Sequence, residues 1–154
     1  MSYEVAKWLH ILSSTVLFGT GLGSAYYMFF TCLGGDPRTV AHVARLVVVA
    51  DWVFTTTSIV FQPVSGLYLA HLVGLPLTSR WIVWTGVLYV LAGACWIPVV
   101  FIQIRMRRLA ERAATENARL PVEFERLFRW WTALGVPAFV ALVVVFWLMV
   151  AKPL

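Results

Sequence analysis

Five polar residues, Asp51, Thr55, Ser58, Gln62 and Ser65, follow one another at spacings of four, three, four and three. At the helical period they share one face, with Thr56 and Thr57 flanking it. Polar side chains within an apolar stretch of this length are costly against lipid, so the stripe should turn toward neighbouring helices. One reading makes it the lining of a polar cavity for a cofactor head, a proton or a small solute. The other makes it interhelical hydrogen bonding, which suffices for the Thr and Ser residues. Asp51 asks for more, because a buried acid needs a partner or a proton. Pro63 has no N–H and so frees a carbonyl about one turn earlier, a break that Thr or Ser side chains can repair.

His10 is the second residue with chemistry to offer. Ser13, Ser14, Leu17, Gly21, Ser24 and Met28 follow it on one small-and-polar face, which suits close helix approach. A buried neutral imidazole is the common ligand of haem and of transition metals. It serves equally as a hydrogen-bonded packing residue. His71 is the matching candidate for a second axial ligand, with Met28 as the alternative. Nine residues separate His71 from Gln62, two and a half turns, so His71 faces away from the stripe unless Pro63 redirects the helix. His42 reads as solvated. Cys32 and Cys95 lack a metal-binding or redox spacing, and neither a disulfide nor a zinc site is expected. No phosphate-binding loop, dinucleotide fingerprint or nucleophile–base pair is present in the sequence.

The elements that must position these residues are long apolar runs. Of 154 residues, 61% are hydrophobic and 12% charged, with a mean hydropathy of +0.84. Soluble domains carry about 25% charged residues, so this composition belongs in lipid. Crossing ~30 Å of hydrocarbon takes about 20 helical residues. Four stretches qualify, at about residues 8–31, 46–71, 81–104 and 130–150. Trp8, Trp81, Trp84, Trp130, Trp131 and Trp147 stand near their ends, where indole rings sit well at the headgroup level. The first run follows Glu4 and Lys7 rather than a basic cluster and is longer than a signal core, so it reads as a span and not as a cleaved leader. The expectation is an all-α integral membrane bundle of four transmembrane helices, residues 1–154 forming one domain.

Arginine placement orients the bundle. Arg105, Arg107, Arg108, Arg112, Arg119, Arg126 and Arg129 crowd the connection between the third and fourth spans, and Arg38 and Arg45 join them from the first connection. Only Lys7, Arg80 and Lys152 stand on the other side. The positive-inside rule then places both termini in the periplasm of a bacterial inner membrane. Topology and anionic lipid account for the net charge of +5 without nucleic acid. Residues 105–129 read as a charged helical hairpin, with Ala, Arg, Glu and Leu before the turn and Pro121, Glu123 and Glu125 opening the last helix. Arg105, Arg107, Arg108 and Arg112 offer a partner-docking face, or else a solvated turn with topogenic charge. A homo-oligomer or a larger membrane complex is compatible with four helices that bury little surface. The prolines within helices, Pro63, Pro98 and Pro137, do not make a transporter without an inverted repeat.

Several runs are familiar. Trp8-Leu9-His10-Ile11, Phe61-Gln62-Pro63-Val64-Ser65-Gly66, Cys95-Trp96-Ile97-Pro98-Val99-Val100 with Gln103-Ile104-Arg105, and Met149-Val150-Ala151-Lys152-Pro153-Leu154 resemble an uncharacterised bacterial family of small integral membrane proteins. The resemblance spans essentially the whole chain. A histidine early in the first span, Pro and Gly in the second and a Lys-Pro ending are also similar to the J-type protoporphyrinogen IX oxidases. Those are four-helix membrane proteins related to the copper-resistance membrane proteins, and they bind b-type haem. That similarity implies haem b as cofactor, with His10 as its ligand. The chain departs from the oxidases where Gly21-Leu22-Gly23-Ser24-Ala25-Tyr26 lacks their basic residue, and again where the third span has neither Lys nor His. Three functions are therefore carried forward: haem b binding in membrane redox or porphyrin handling, a haem-free scaffold or accessory subunit, and porphyrinogen oxidation without its basic positions.

Overall fold

In the computed structural model, which describes residues 2–152, five α-helices and one π turn form an all-helical bundle. Helix α1 runs Tyr3–Gly34, α2 Pro37–Ala50, α3 Thr56–Leu72, α4 Arg80–Thr115 and α5 Val122–Ala151. The π turn, Asp51–Thr55, joins α2 to α3 without interrupting the rod, so the two act as one long helix. Four rods thus remain, Tyr3–Gly34, Pro37–Leu72, Arg80–Thr115 and Val122–Ala151, each long and apolar enough to cross a membrane. Their outward faces are apolar: Val90, Phe101 and Val150 are 72, 68 and 80% exposed. Such a surface is stable against lipid and not against water. The last two residues of the familiar terminal run, 153–154, lie outside the described residues.

The second rod begins earlier than the hydropathy boundary near Leu46. Asp36 caps α2, its carboxylate accepting from the Thr39 N–H at 2.9 Å and from the Thr39 hydroxyl. Pro37 fills the first turn, where its missing N–H costs nothing. Over this stretch Val40, Ala44, Val47 and Val48 are buried, while Arg38, Thr39, His42 and Arg45 are exposed. Residues 37–45 are therefore an amphipathic helix, invisible to a search for unbroken apolar runs. The Thr39 hydroxyl, then its amide, holds the Asp36 carboxyl below the usual carboxylate range. A depressed folded-state pKa contributes stability above the unfolded value, and this contribution is lost as pH falls through the folded one. Acidification is expected to fray the start of α2, read as faster amide exchange at Thr39 and Val40, and Asp36→Ala should show the same fraying at neutral pH.

The two ends of the bundle pack differently. At the arginine-bearing end Met28 and Cys32 of α1, Val40, Ala44 and Val47 of α2, Val99, Met106 and Ala110 of α4, and Phe124 and Trp131 of α5 form one buried core. Phe29, Phe128 and Trp131 extend it as a chain of ring contacts. Arg38 Nη2 donates to Asn117 Oδ1 at 2.7 Å, tying the α1–α2 turn to the α4–α5 turn. Toward the opposite end the buried side chains are fewer and smaller. There α1 meets α5 through Phe18, whose ring lies 5.3 Å from both Phe139 and Phe146. Helix α3 meets α4 through Tyr89, whose hydroxyl donates to the Ile59 carbonyl at 2.6 Å. Ile59 is four residues before Pro63, so this is the carbonyl the proline leaves without a partner. The repair comes from an aromatic on another helix, not from the neighbouring Thr or Ser hydroxyls.

Candidate functional site

The polar stripe of the second rod faces inward along its whole length. Asp51, Thr55, Ser58, Gln62 and Ser65 are all buried, at 4–9% exposure. Fourteen residues from Asp51 to Ser65 rise about 21 Å, so the stripe makes a polar seam through the bundle. It has a distinct cluster at each end.

At the end away from the arginines, α1 crosses α3 at His10. Gln62 Nε2 donates to the His10 carbonyl at 2.9 Å, and His10 Nδ1 lies 2.7 Å from Ser65 Oγ. Ser65 Oγ in turn donates to backbone carbonyls of its own helix, at 2.8 Å to Phe61 and 3.2 Å to Gln62. A hydroxyl has one proton, for which the two carbonyls and His10 Nδ1 compete as acceptors. When it goes to a carbonyl, the Ser65 oxygen accepts from Nδ1–H. This tautomer puts the ring's lone pair on Nε2, the state in which a neutral imidazole ligates a metal. Gly66 lies at the crossing, where a Cβ would just touch His10 Cε1 at 3.4 Å. On the adjoining face of the α1–α3 pair, Leu9, Leu12, Ser13 and Val16 of α1 and Thr57, Ser58 and Phe61 of α3, but not His10, line an open groove of about 360 Å³. Ser13 Oγ is buried there without a hydrogen-bond partner.

The proposed companions of His10 do not join it. His71 is exposed in the last turn of α3, six residues or about 9 Å of rise beyond Ser65. Met28 is fully buried in the core at the arginine end. It lies eighteen residues, about 27 Å, along the same helix from His10, so the two cannot share one iron. Among the described residues no group of three His, Cys, Asp or Glu side chains gathers in a metal-binding cluster.

At the other end of the seam the π turn carries Asp51. Thr56 donates both its N–H and, at 2.9 Å, its hydroxyl to the Asp51 carbonyl. Thr55 Oγ1 donates to Asp51 Oδ1 at 3.0 Å. The Gln103 side chain of α4 stands beside the same carboxyl. Both partners are buried as deeply as the acid. Gln103 was readable as the one amide in the third apolar run, yet nothing local in the sequence ties it to Asp51. Tyr89 gave even less signal, since an aromatic within a span reads as a lipid-facing residue.

The basic face divides. Arg105 pairs with Glu123 across the hairpin at 2.7 Å, and Arg107 stands 3.6 Å from Glu111 one turn on. Arg108 and Arg112 are exposed on the same helix.

No curated protein and no solved structure matches the chain. Residues 4–153 match the family model described as Predicted integral membrane protein (DUF2269), essentially the whole length over which four membrane-length helices are packed. With a model matched from the first turn of α1 to the end of α5, the chain belongs to that family of integral membrane proteins.

Proposed function

We propose that this membrane protein binds haem b through His10 and works in membrane redox or porphyrin handling, in a bacterial inner membrane with both termini in the periplasm. The observation that carries the reading is the inward-facing His10 imidazole, held by Ser65 at 2.7 Å where α1 crosses α3. Metal-ligating histidines are typically oriented by just such a hydrogen bond to the other ring nitrogen. The residues fit one axial position. His10 is the residue that would hold the haem, and His71, exposed at the end of α3, would join it only after a rearrangement there. When bound, the haem would supply one-electron chemistry; the protein supplies orientation of the ligand, a groove of low polarity and a hydrogen bond that tunes ligand basicity. The similarity of the His10 and Pro63–Gly66 stretches to the J-type oxidases supports the same cofactor, and the missing basic residues in the first and third spans weigh against porphyrinogen oxidation.

The test is the visible spectrum of detergent-purified protein expressed with ample haem, oxidised and then reduced with dithionite. A Soret band is expected, and His10→Ala should abolish it while membrane insertion is unchanged. Ser65→Ala keeps the ligand but loses its orienting partner, and should weaken haem affinity about 10–100-fold. Colourless wild-type protein would overturn the reading. The second reading, a haem-free scaffold or accessory subunit, rests on the exposed Arg108 and Arg112, which remain available to an acidic partner while Arg105 and Arg107 face carboxylates of their own chain. In that case Arg108→Glu with Arg112→Glu should release a co-purifying subunit.

A further inference from the structure

The Asp51 end of the seam has no part in the haem reading, and its chemistry is different. Asp51, Thr55 and Gln103 are 5, 4 and 5% exposed, within an apolar section of the bundle. A carboxylate there is expensive unless a positive charge meets it. Among the described residues no ion pair involves Asp51. The charged and titratable groups of the helices around it are engaged or turned elsewhere. On α2, His42 and Arg45 are exposed; on α1, Tyr26 and Tyr27 are exposed and Cys32 belongs to the apolar core. On α4, Arg105 is paired with Glu123, and part-buried Arg107, one turn past Gln103, stands 3.6 Å from Glu111. Arg108 is exposed, Tyr89 donates to the Ile59 carbonyl and Cys95 is half-buried. On α3 the first such groups are Tyr68 and His71, more than three turns past Thr55.

A second observation is independent of the acid. Gln103 Oε1, on the side chain that stands beside Asp51, is buried and has no hydrogen-bond partner. A buried carboxylate there is one positive charge short, and the buried Gln103 acceptor lacks a donor. The atoms on offer, the Asp51 carboxylate, the Thr55 hydroxyl and Gln103 Oε1, are all oxygens, which suit a proton or a hard cation. One carboxylate balances one charge, so a divalent ion would leave the site positive. The π turn places the acid here, and such turns inside α-helices occur frequently at functional sites.

We propose that Asp51, Thr55 and Gln103 form a binding site for a single positive charge, a proton or Na⁺, at the π turn of the second rod. The site stands whether or not haem is bound at His10. The arginine end is the nearer end of the bundle, Arg45 being six residues or about 9 Å of rise away.

Dicyclohexylcarbodiimide tests this on the intact protein in liposomes. The reagent adds to a protonated carboxyl in an apolar setting and rearranges to a stable N-acylurea that retains every atom of both reactants. The label is mapped by peptide mass, so wild-type protein suffices and Asp51→Asn serves as the blank. Labelling of the Asp51 peptide is expected at low pH, falling about tenfold per pH unit above its midpoint. Replacing choline chloride by NaCl at constant ionic strength separates the two ions. Protection by Na⁺, lost in Gln103→Leu, identifies a cation site; labelling that ignores Na⁺ but follows pH identifies a proton site. An Asp51 peptide that is never labelled, or is labelled equally at every pH with and without Na⁺, overturns the proposal.

Discussion

Phe124→Ala is expected to destabilise the bundle by about 3–5 kcal/mol, the largest effect of any single truncation. The Phe124 ring is 2% exposed in the first turn of α5, within the core that Met28, Val40, Ala44, Met106 and Ala110 supply from the other three rods. Its position outside the long apolar runs raises the cost. Glu123, Glu125 and Arg126 flank it, so the unfolded alternative for this ring is water. Inside lipid a lost side chain exchanges protein contacts for acyl chains, and no hydrophobic driving force is forfeited. At the arginine end both the transfer and the cavity terms apply. Phe101→Ala is the control: that ring is 68% exposed on a lipid-facing surface of α4, and its loss should stay within about 0.5 kcal/mol. Unfolding of both variants in mixed detergent micelles reads the difference directly. Equal losses would mean that the core at the arginine end does not hold the rods together.

Tyr89→Phe is the second large effect, about 1–2 kcal/mol for removing one oxygen atom. The hydroxyl satisfies the Ile59 carbonyl that Pro63 deprives of its helical partner, at 2.6 Å and part-buried between α3 and α4. Without it, an acceptor is left unpaired in an apolar environment. The partnership makes the prediction sharper than a single loss. Pro63→Ala restores the amide and with it the ordinary bond to Ile59, so Tyr89→Phe in a Pro63→Ala background should cost far less than in wild type. A double-mutant cycle on unfolding free energy measures that coupling, and strict additivity would show that the tyrosine acts only by packing. Loss of this link should also loosen α3 from α4, which are otherwise sparsely joined toward the end where His10 lies.

The His10 and Asp51 clusters rest on these two supports in different ways. Asp51 and Gln103 meet close to the arginine-end core, so Phe124→Ala should disturb them while leaving the α1–α3 crossing at His10 intact. The crossing relies instead on Ser65 and Gln62, both on α3. A stability or labelling defect at the arginine end and a spectral defect at the His10 end can therefore be told apart.

Much of this molecule was legible without coordinates. Hydropathy is local, so four membrane-length helices follow from composition and run length alone. Helical periodicity is local too, and it put Asp51, Thr55, Ser58, Gln62 and Ser65 on one inward face before any neighbour was known. The start of α2 was also written in the chain, as the cap Asp36-Pro37 and the spacing of Val40, Ala44 and Val47, but its amphipathic pattern differs from that of a span. The tertiary structure decided what each polar group meets. Asp51 finds Gln103 fifty-two positions away, His10 finds Ser65 at fifty-five, and Ile59 finds Tyr89 at thirty. Those pairs depend on how each rod is rotated and how deeply it is set against its neighbours. Side-chain packing at the arginine end sets both, and no periodicity within one helix carries that information.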